Sequence, residues 1–158
     1  MKHRCPKSQA LSNAVLSGYR LVFPRPDSQW RGGVAGIEPD PKAHVEGALY
    51  GLCPSDIASL DTYEGIADGD YSHLNVTMEL PDGRTVAAYT YRATPVGSRC
   101  FKPSPRYLAT IIKGAMDHGL SASWIEFLKS HASRDEPAFT KRAEPPSTEN
   151  KDRNTNIQ

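Results

Sequence analysis

Leu60-Asp61-Thr62-Tyr63-Glu64-Gly65, with Tyr71 six residues beyond, is the stretch from which the chain reads outward. It closes a short helix. Ser55 is placed to cap the first turn, and Asp56 stands where the positive end of the helix dipole favours an anion. Ile57 and Leu60, three apart, give the helix one apolar face. Gly65 can take the left-handed conformation that ends it. Glu64 then faces the negative end of the dipole, at a cost of roughly 0.3–1 kcal/mol, which pushes it toward its neutral form. A carboxylate of that kind suits a general base working near neutral pH, and a solvated turn glutamate is the plainer alternative.

Strands surround this helix. Val15 to Phe23 reads as a strand, followed by a loop at Pro24, Pro26, Asp27 and Ser28. Gly32-Gly33 opens a second strand, Val34 to Ile37, which Glu38-Pro39-Asp40-Pro41 ends in a turn. His44 to Leu52 is a strand rich in small residues. Beyond the helix, Tyr71–Leu80 and Thr85–Ala93 flank Pro81-Asp82-Gly83-Arg84, a hairpin turn in which proline presets φ and glycine accepts positive φ. Tyr89 and Tyr91 share one face of the second strand.

Two helices follow. Ser104-Pro105 starts the first, whose apolar stripe is Tyr107, Leu108, Ile111, Ile112, Ala115 and Met116, and Gly119 ends it. The second begins near Ser123, with Glu126 completing a capping box. Strands and helices do not alternate regularly. The expected class is therefore α+β, a curled, mixed or antiparallel, barrel-like sheet with one short inserted helix and two C-terminal helices. Residues 1–132 form the expected domain. Residues 133–158, nearly free of apolar side chains, are expected to be a disordered polar tail.

Composition narrows the partners. With 158 residues the chain can build one core, and 19 Lys+Arg against 18 Asp+Glu gives no basic surplus to attract nucleic acid. No apolar run approaches the ~20 residues that span a bilayer. Cys5, Cys53 and Cys100 are odd in number and widely spaced, which fits free thiols in a reducing, cytoplasmic setting. The five histidines show no metal-ligand spacing. No metal and no cofactor is expected.

Taken together, several stretches resemble the gamma-glutamylcyclotransferase family and its plant AIG2-like relatives. They are Arg4-Cys5-Pro6, Gly18 to Phe23, Trp30-Arg31-Gly32-Gly33-Val34-Ala35, Val45 to Tyr50, Leu60 to Gly65, Tyr71, and Pro103-Ser104-Pro105-Arg106-Tyr107 with Gly114-Ala115. The resemblance runs in order over about residues 4–120. It implies an intramolecular reaction in which the α-amine of a γ-glutamyl group attacks its own γ-carbonyl. The products would be 5-oxoproline and a released amino acid or amine. By the resemblance, Glu64 is the general acid/base and Tyr71 and Tyr91 line the substrate pocket. Gly32 and Gly33 are further substrate-site candidates, better suited to backbone shape than to contact. The partner is a small γ-glutamyl molecule. Cys100 has no histidine partner that would make it a nucleophile.

The resemblance has a gap. Members of the family carry a Tyr-Gly-Ser-Asn loop that holds the substrate's α-carboxylate, about ten residues before the region matching Arg4-Cys5-Pro6. The expectation is a truncated reading or a true loss, with Arg31 at most a substitute point charge and a sheet edge left unpaired. A non-catalytic, small-molecule-binding remnant of the same fold is the alternative to an enzyme.

Overall fold

A computed structural model describes residues 4–133 and 140–141. In chain order the elements are β1 (Gln9–Asp27), β2 (Gly32–Gly51), α1 (Pro54–Tyr63), β3 (Tyr71–Glu79), β4 (Thr85–Ala93), β5 (Arg99–Cys100), α2 (Pro105–Asp117), α3 (Ala122–Ser133) and β6 (Thr140–Lys141). The main sheet has the order β2-β1-β3-β4, and its pairings are antiparallel. It curls, so that the outer strands meet: the α-carbon of Gly36 in β2 approaches Ala93 in β4 and the ring of Pro24. The α+β class, the inserted helix and the two later helices are as the sequence predicts.

The first two strands are longer than expected. Pro24 and Pro26 lie inside β1, and Pro39 and Pro41 lie inside β2. Proline cannot donate to a ladder, and strands absorb it at bulges. The register shifts between Val22 and Arg25, and again between Ser17 and Tyr19, where residues 40–43 bow out opposite Gly18. Gly18 takes φ +79 at that kink. The turn signal at 38–41 thus bends a strand and does not end it.

The hairpin of β3 and β4 pairs in unbroken register from Tyr71↔Ala93 to Glu79↔Thr85. Gly83 takes φ +81 in its turn. Ser104 caps α2 by accepting the Tyr107 N–H at 3.3 Å, with Pro105 opening the helix. Gly119 closes it at φ +63, and the Leu120 N–H returns to the Ala115 carbonyl.

Two caps differ from expectation. Cys53, not Ser55, stands at the start of α1, ahead of Pro54, and gives no side-chain cap. Proline at the first helical position fixes the start there. Likewise, Ser121 and not Ser123 caps α3: its Oγ accepts the Trp124 N–H at 3.1 Å, while Glu126 pairs with Lys129. Glu46 of β2 holds Ser121 by its N–H and hydroxyl, so tertiary contact selects the serine.

The core lies between the sheet and the C-terminal helices. Ala115, Trp124 and Leu128 are buried together, with Leu21, Val45, Ile111 and Ile112 against them. Met116, expected in the stripe of α2, is 60% exposed. Of the expected tail, Ser133 ends α3 and Thr140–Lys141 pair with Arg99–Cys100. The rest of residues 134–158 lies outside the described residues.

Candidate active site

Helix α1 delivers Glu64. The helix stops at Tyr63, the Glu64 N–H still bonds the Leu60 carbonyl at 2.8 Å, and Gly65 turns away at φ +63. A side chain at Gly65 would also strike Asp70. The loop from Gly65 is short because it is stitched: the Asp70 N–H bonds the Gly65 carbonyl at 3.0 Å, and the Thr94 N–H bonds the Asp70 carbonyl at 2.8 Å. Arg25 of β1 completes the knot, pairing with the Asp70 carboxylate and donating to the Thr94 carbonyl. Tyr71 begins β3 directly after this knot, near enough for the Glu64 charge to act on its phenol.

Burial raises the Glu64 carboxyl above its ordinary pKa, and the Arg4 guanidinium pulls back against that rise. The Arg4 Nη1 lies 3.7 Å from Glu64 Oε1. Desolvation, with Glu64 as the next cause, pushes the Tyr71 phenol up to about 12. Tyr107 on α2 is raised by desolvation too, with Glu64 among the neighbouring charges. The Ala35 N–H donates to Tyr107 Oη at 3.0 Å, leaving the phenolic proton to donate. Two neutral phenols and one half-buried carboxylate therefore share a site, with Arg4 at its edge.

Tyr91 is on the same sheet face, opposite His73 and two pairs beyond Tyr71↔Ala93. Its hydroxyl donates to Asp61 Oδ1 at 2.6 Å, and His73 Nε2 reaches the same oxygen at 2.7 Å. Those bonds hold the Asp61 carboxyl below its usual range. Desolvation and the Asp61 bond raise Tyr91 strongly. The Tyr91 proton is thus committed to α1, which ties the helix carrying Glu64 to β3 and β4.

Gly32 and Gly33 have a packing reason to be glycine. A Cβ on Gly32 would lie 2.5 Å from the Ser104 nitrogen, and one on Gly33 would lie 2.8 Å from the Phe101 oxygen. The two glycines seat the segment that caps α2, and through it they position Tyr107. Arg31 is exposed in the β1–β2 turn at φ +55; the guanidinium beside Glu64 is that of Arg4. Sequence reasoning missed Arg4 and Tyr107 as site residues. Both stand within stretches carrying the resemblance, and the sequence places Tyr107 in the apolar stripe of α2.

An open groove of about 800 Å³ runs past Lys42, His44 and Glu46. It shares no residue with the Glu64 group, and one of its two carboxylates, Glu46, is already bound by Ser121. Among the described residues, no helix is long and apolar enough to cross a membrane.

Residues 44–128 match the AIG2-like family. The gamma-glutamylcyclotransferase of Bos taurus is 31% identical over 131 residues, covering 80% of this chain and 69% of its own length. This chain belongs to the AIG2-like, gamma-glutamylcyclotransferase family. The gamma-glutamylcyclotransferase of Mus musculus is 32% identical with the same coverage. A solved gamma-glutamyl cyclotransferase superposes with a TM-score of 0.79 at 27% identity, covering 90% of this chain and 85% of that one. YkqA from Bacillus subtilis gives 0.71 at 26% identity, covering 84% of this chain and 46% of its own. The span matched to the family contains Glu64, Tyr71, Tyr91 and Tyr107, and it begins beyond Gly32 and Gly33.

Proposed function

We propose that this chain cyclises the γ-glutamyl group of a small molecule to 5-oxoproline, releasing an amino acid or amine, with Glu64 as general acid/base. The observation that carries this reading is the half-buried Glu64 at the end of α1, raised in pKa by burial, 3.7 Å from the Arg4 guanidinium and within electrostatic reach of Tyr71 and Tyr107.

The chemistry needs little else. Both reacting groups lie in one molecule, so holding the near-attack conformer can supply roughly 7–11 kcal/mol. Glu64 removes a proton from the α-ammonium. The freed amine attacks the γ-carbonyl carbon, forming the ring N–C bond. The carbonyl oxygen gains charge, and a phenol donates to it, either Tyr71 or Tyr107. The amide C–N bond then breaks, and Glu64 returns its proton to the departing nitrogen. The ring nitrogen still carries a second proton; it passes to the Glu64 carboxylate and on to the released amine, which departs as ammonium, so protons and electron pair balance and neither phenol has to ionise. Tyr91 supports the site by holding α1 through Asp61. Gly32 and Gly33 support it by seating the start of α2.

Glu64→Gln keeps shape and removes basicity. It should lower kcat for 5-oxoproline release by about 10²–10⁴-fold. A Gln variant turning over at the wild-type rate would remove Glu64 from the mechanism.

A further inference from the structure

We propose that Arg4 and Glu64 together receive the zwitterionic end of the γ-glutamyl group, Arg4 taking the α-carboxylate while Glu64 takes the α-ammonium. This rests on the function proposed above and adds to it a residue that reads one specific charge of the substrate.

The pair is a loose one. At 3.7 Å the Arg4–Glu64 contact is longer than a hydrogen bond, so the guanidinium fork is not closed on that carboxylate. Arg4 is nonetheless held. Its carbonyl accepts the Ser59 hydroxyl at 3.1 Å, and its guanidinium lies 4.8 Å over the Tyr63 ring. Next to it, the fully buried Cys5 directs its thiol at the Asp56 carbonyl. The backbone is thus fastened along α1 while the charged head stays half exposed.

Other cations near the site are engaged. Arg25 is paired with Asp70 and bonded to the Thr94 carbonyl. Arg106 lies over the Trp30 ring and bonds the Gln29 carbonyl. The Asp27 carboxylate accepts the Trp30 N–H. Tyr71 and Tyr107 feel the Glu64 charge and, raised by desolvation, stay neutral phenols.

A γ-glutamyl group carries its ammonium and carboxylate on the same carbon. A carboxylate and a guanidinium a few ångströms apart present the complementary order of charge. Guanidinium binds carboxylate through two parallel N–H bonds, a geometry left open here by the long contact to Glu64. Once the substrate carboxylate occupies Arg4, Glu64 gives up a share of its counter-ion and becomes the stronger base as the ammonium arrives beside it.

The test uses γ-glutamylglycine and 4-aminobutanoylglycine, which differ only in the α-carboxylate; the second closes to 2-pyrrolidinone. Affinities are measured by calorimetry and lactam release by chromatography, in the wild type, Arg4→Gln and Arg4→Lys. The wild type should bind γ-glutamylglycine at least about tenfold more tightly than the analogue, the worth of a charge-assisted hydrogen bond. Arg4→Gln should bring the two within about twofold, and Arg4→Lys should restore part of the gap. The acid limb of kcat/KM should also move to higher pH in Arg4→Gln, since Arg4 is what lowers the Glu64 pKa.

An Arg4→Gln chain that keeps the wild-type ratio, or loses both ligands equally, overturns the proposal. A wild type that discriminates through Arg4 but releases no lactam would overturn the reaction and leave Arg4 as a carboxylate receptor. A wild type that binds neither compound overturns both.

Discussion

Gly33→Ala tests how the fold positions the site. A methyl group there would lie 2.8 Å from the Phe101 oxygen, 2.8 Å from the Phe23 Cβ and 2.9 Å from the Phe101 Cβ. None of these atoms can rotate away, because each is backbone or bonded directly to it. The segment is pinned from both sides: the Phe101 N–H bonds the Phe23 carbonyl at 2.8 Å, and the Gly33 N–H bonds the Lys102 carbonyl at 2.8 Å. Overpacking of this kind costs about 1–3 kcal/mol. In a chain of this size that is a fall in Tm of about 2–12 °C. Gly47 is the internal control. It lies in the same strand, and a Cβ there meets nothing within 4 Å. Gly47→Ala should be neutral or stabilising by about 0.4–1 kcal/mol. Urea denaturation of the two variants gives the comparison, and 5-oxoproline release gives its functional side. Displacing residues 101–104 shifts the Ser104 cap and with it Tyr107, so kcat/KM should fall in Gly33→Ala and hold in Gly47→Ala. A Gly33→Ala chain within about 0.5 kcal/mol of wild type would refute the packing argument.

Two pH-dependent outcomes follow from the carboxylates. Burial raises Glu64 in the folded state, so its ionised form is disfavoured by folding. That penalty is absent below the unfolded pKa, grows as pH rises between the two values, and is complete above the folded one. Glu64→Gln should therefore be at least as stable as wild type at about pH 7, with the difference closing near about pH 3; a variant clearly less stable at neutral pH would contradict this. Asp61 behaves in the opposite sense, because its bonds to Tyr91 and His73 lower its folded pKa. Its contribution is present above the unfolded pKa and is lost as pH falls through the folded value. Asp61→Asn should be destabilised near about pH 7 and converge on wild type in acid, and ultraviolet titration should find Tyr91 ionising at lower pH than before. Unchanged denaturation midpoints at neutral pH would show that the Asp61 network contributes nothing.

Local signals carried much of the architecture. The β3–β4 hairpin, the glycine ends of α1 and α2 and the Ser104-Pro105 start are set by residues within a few positions of one another. Such choices depend on φ preferences and nearby donors, which a sequence displays directly. The prolines misled for a related reason. Pro24, Pro26, Pro39 and Pro41 announce breaks in pairing, and breaks do occur at Pro24 and Pro41, while Pro26 and Pro39 stay paired with Gly33 and Tyr19. Whether a break ends a strand or bends it depends on what lies across the sheet. Here β1 and β2 pair on both sides of the bulges and carry the strand through.

Glu64 was legible because a carboxylate at a helix end is anomalous in the sequence itself. Its partners were less so. Arg4 is sixty residues away in the chain and Tyr107 forty-three, and they meet Glu64 only after the sheet has curled and α2 has docked. The serine that caps α3 was decided by Glu46 reaching over from β2. Cys53 gained the start of α1 through Pro54. By itself, the sequence determined the helices, the β3–β4 hairpin with its turn, and which carboxylate is out of place, because each rests on neighbours along the chain; the extent of β1 and β2 was settled by pairing across the sheet. Only the tertiary structure decided the environment of that carboxylate: its burial, the guanidinium at 3.7 Å and the two phenols on which its charge acts. Desolvation and charge pairing act through space, between groups whose separation along the chain says nothing about their distance.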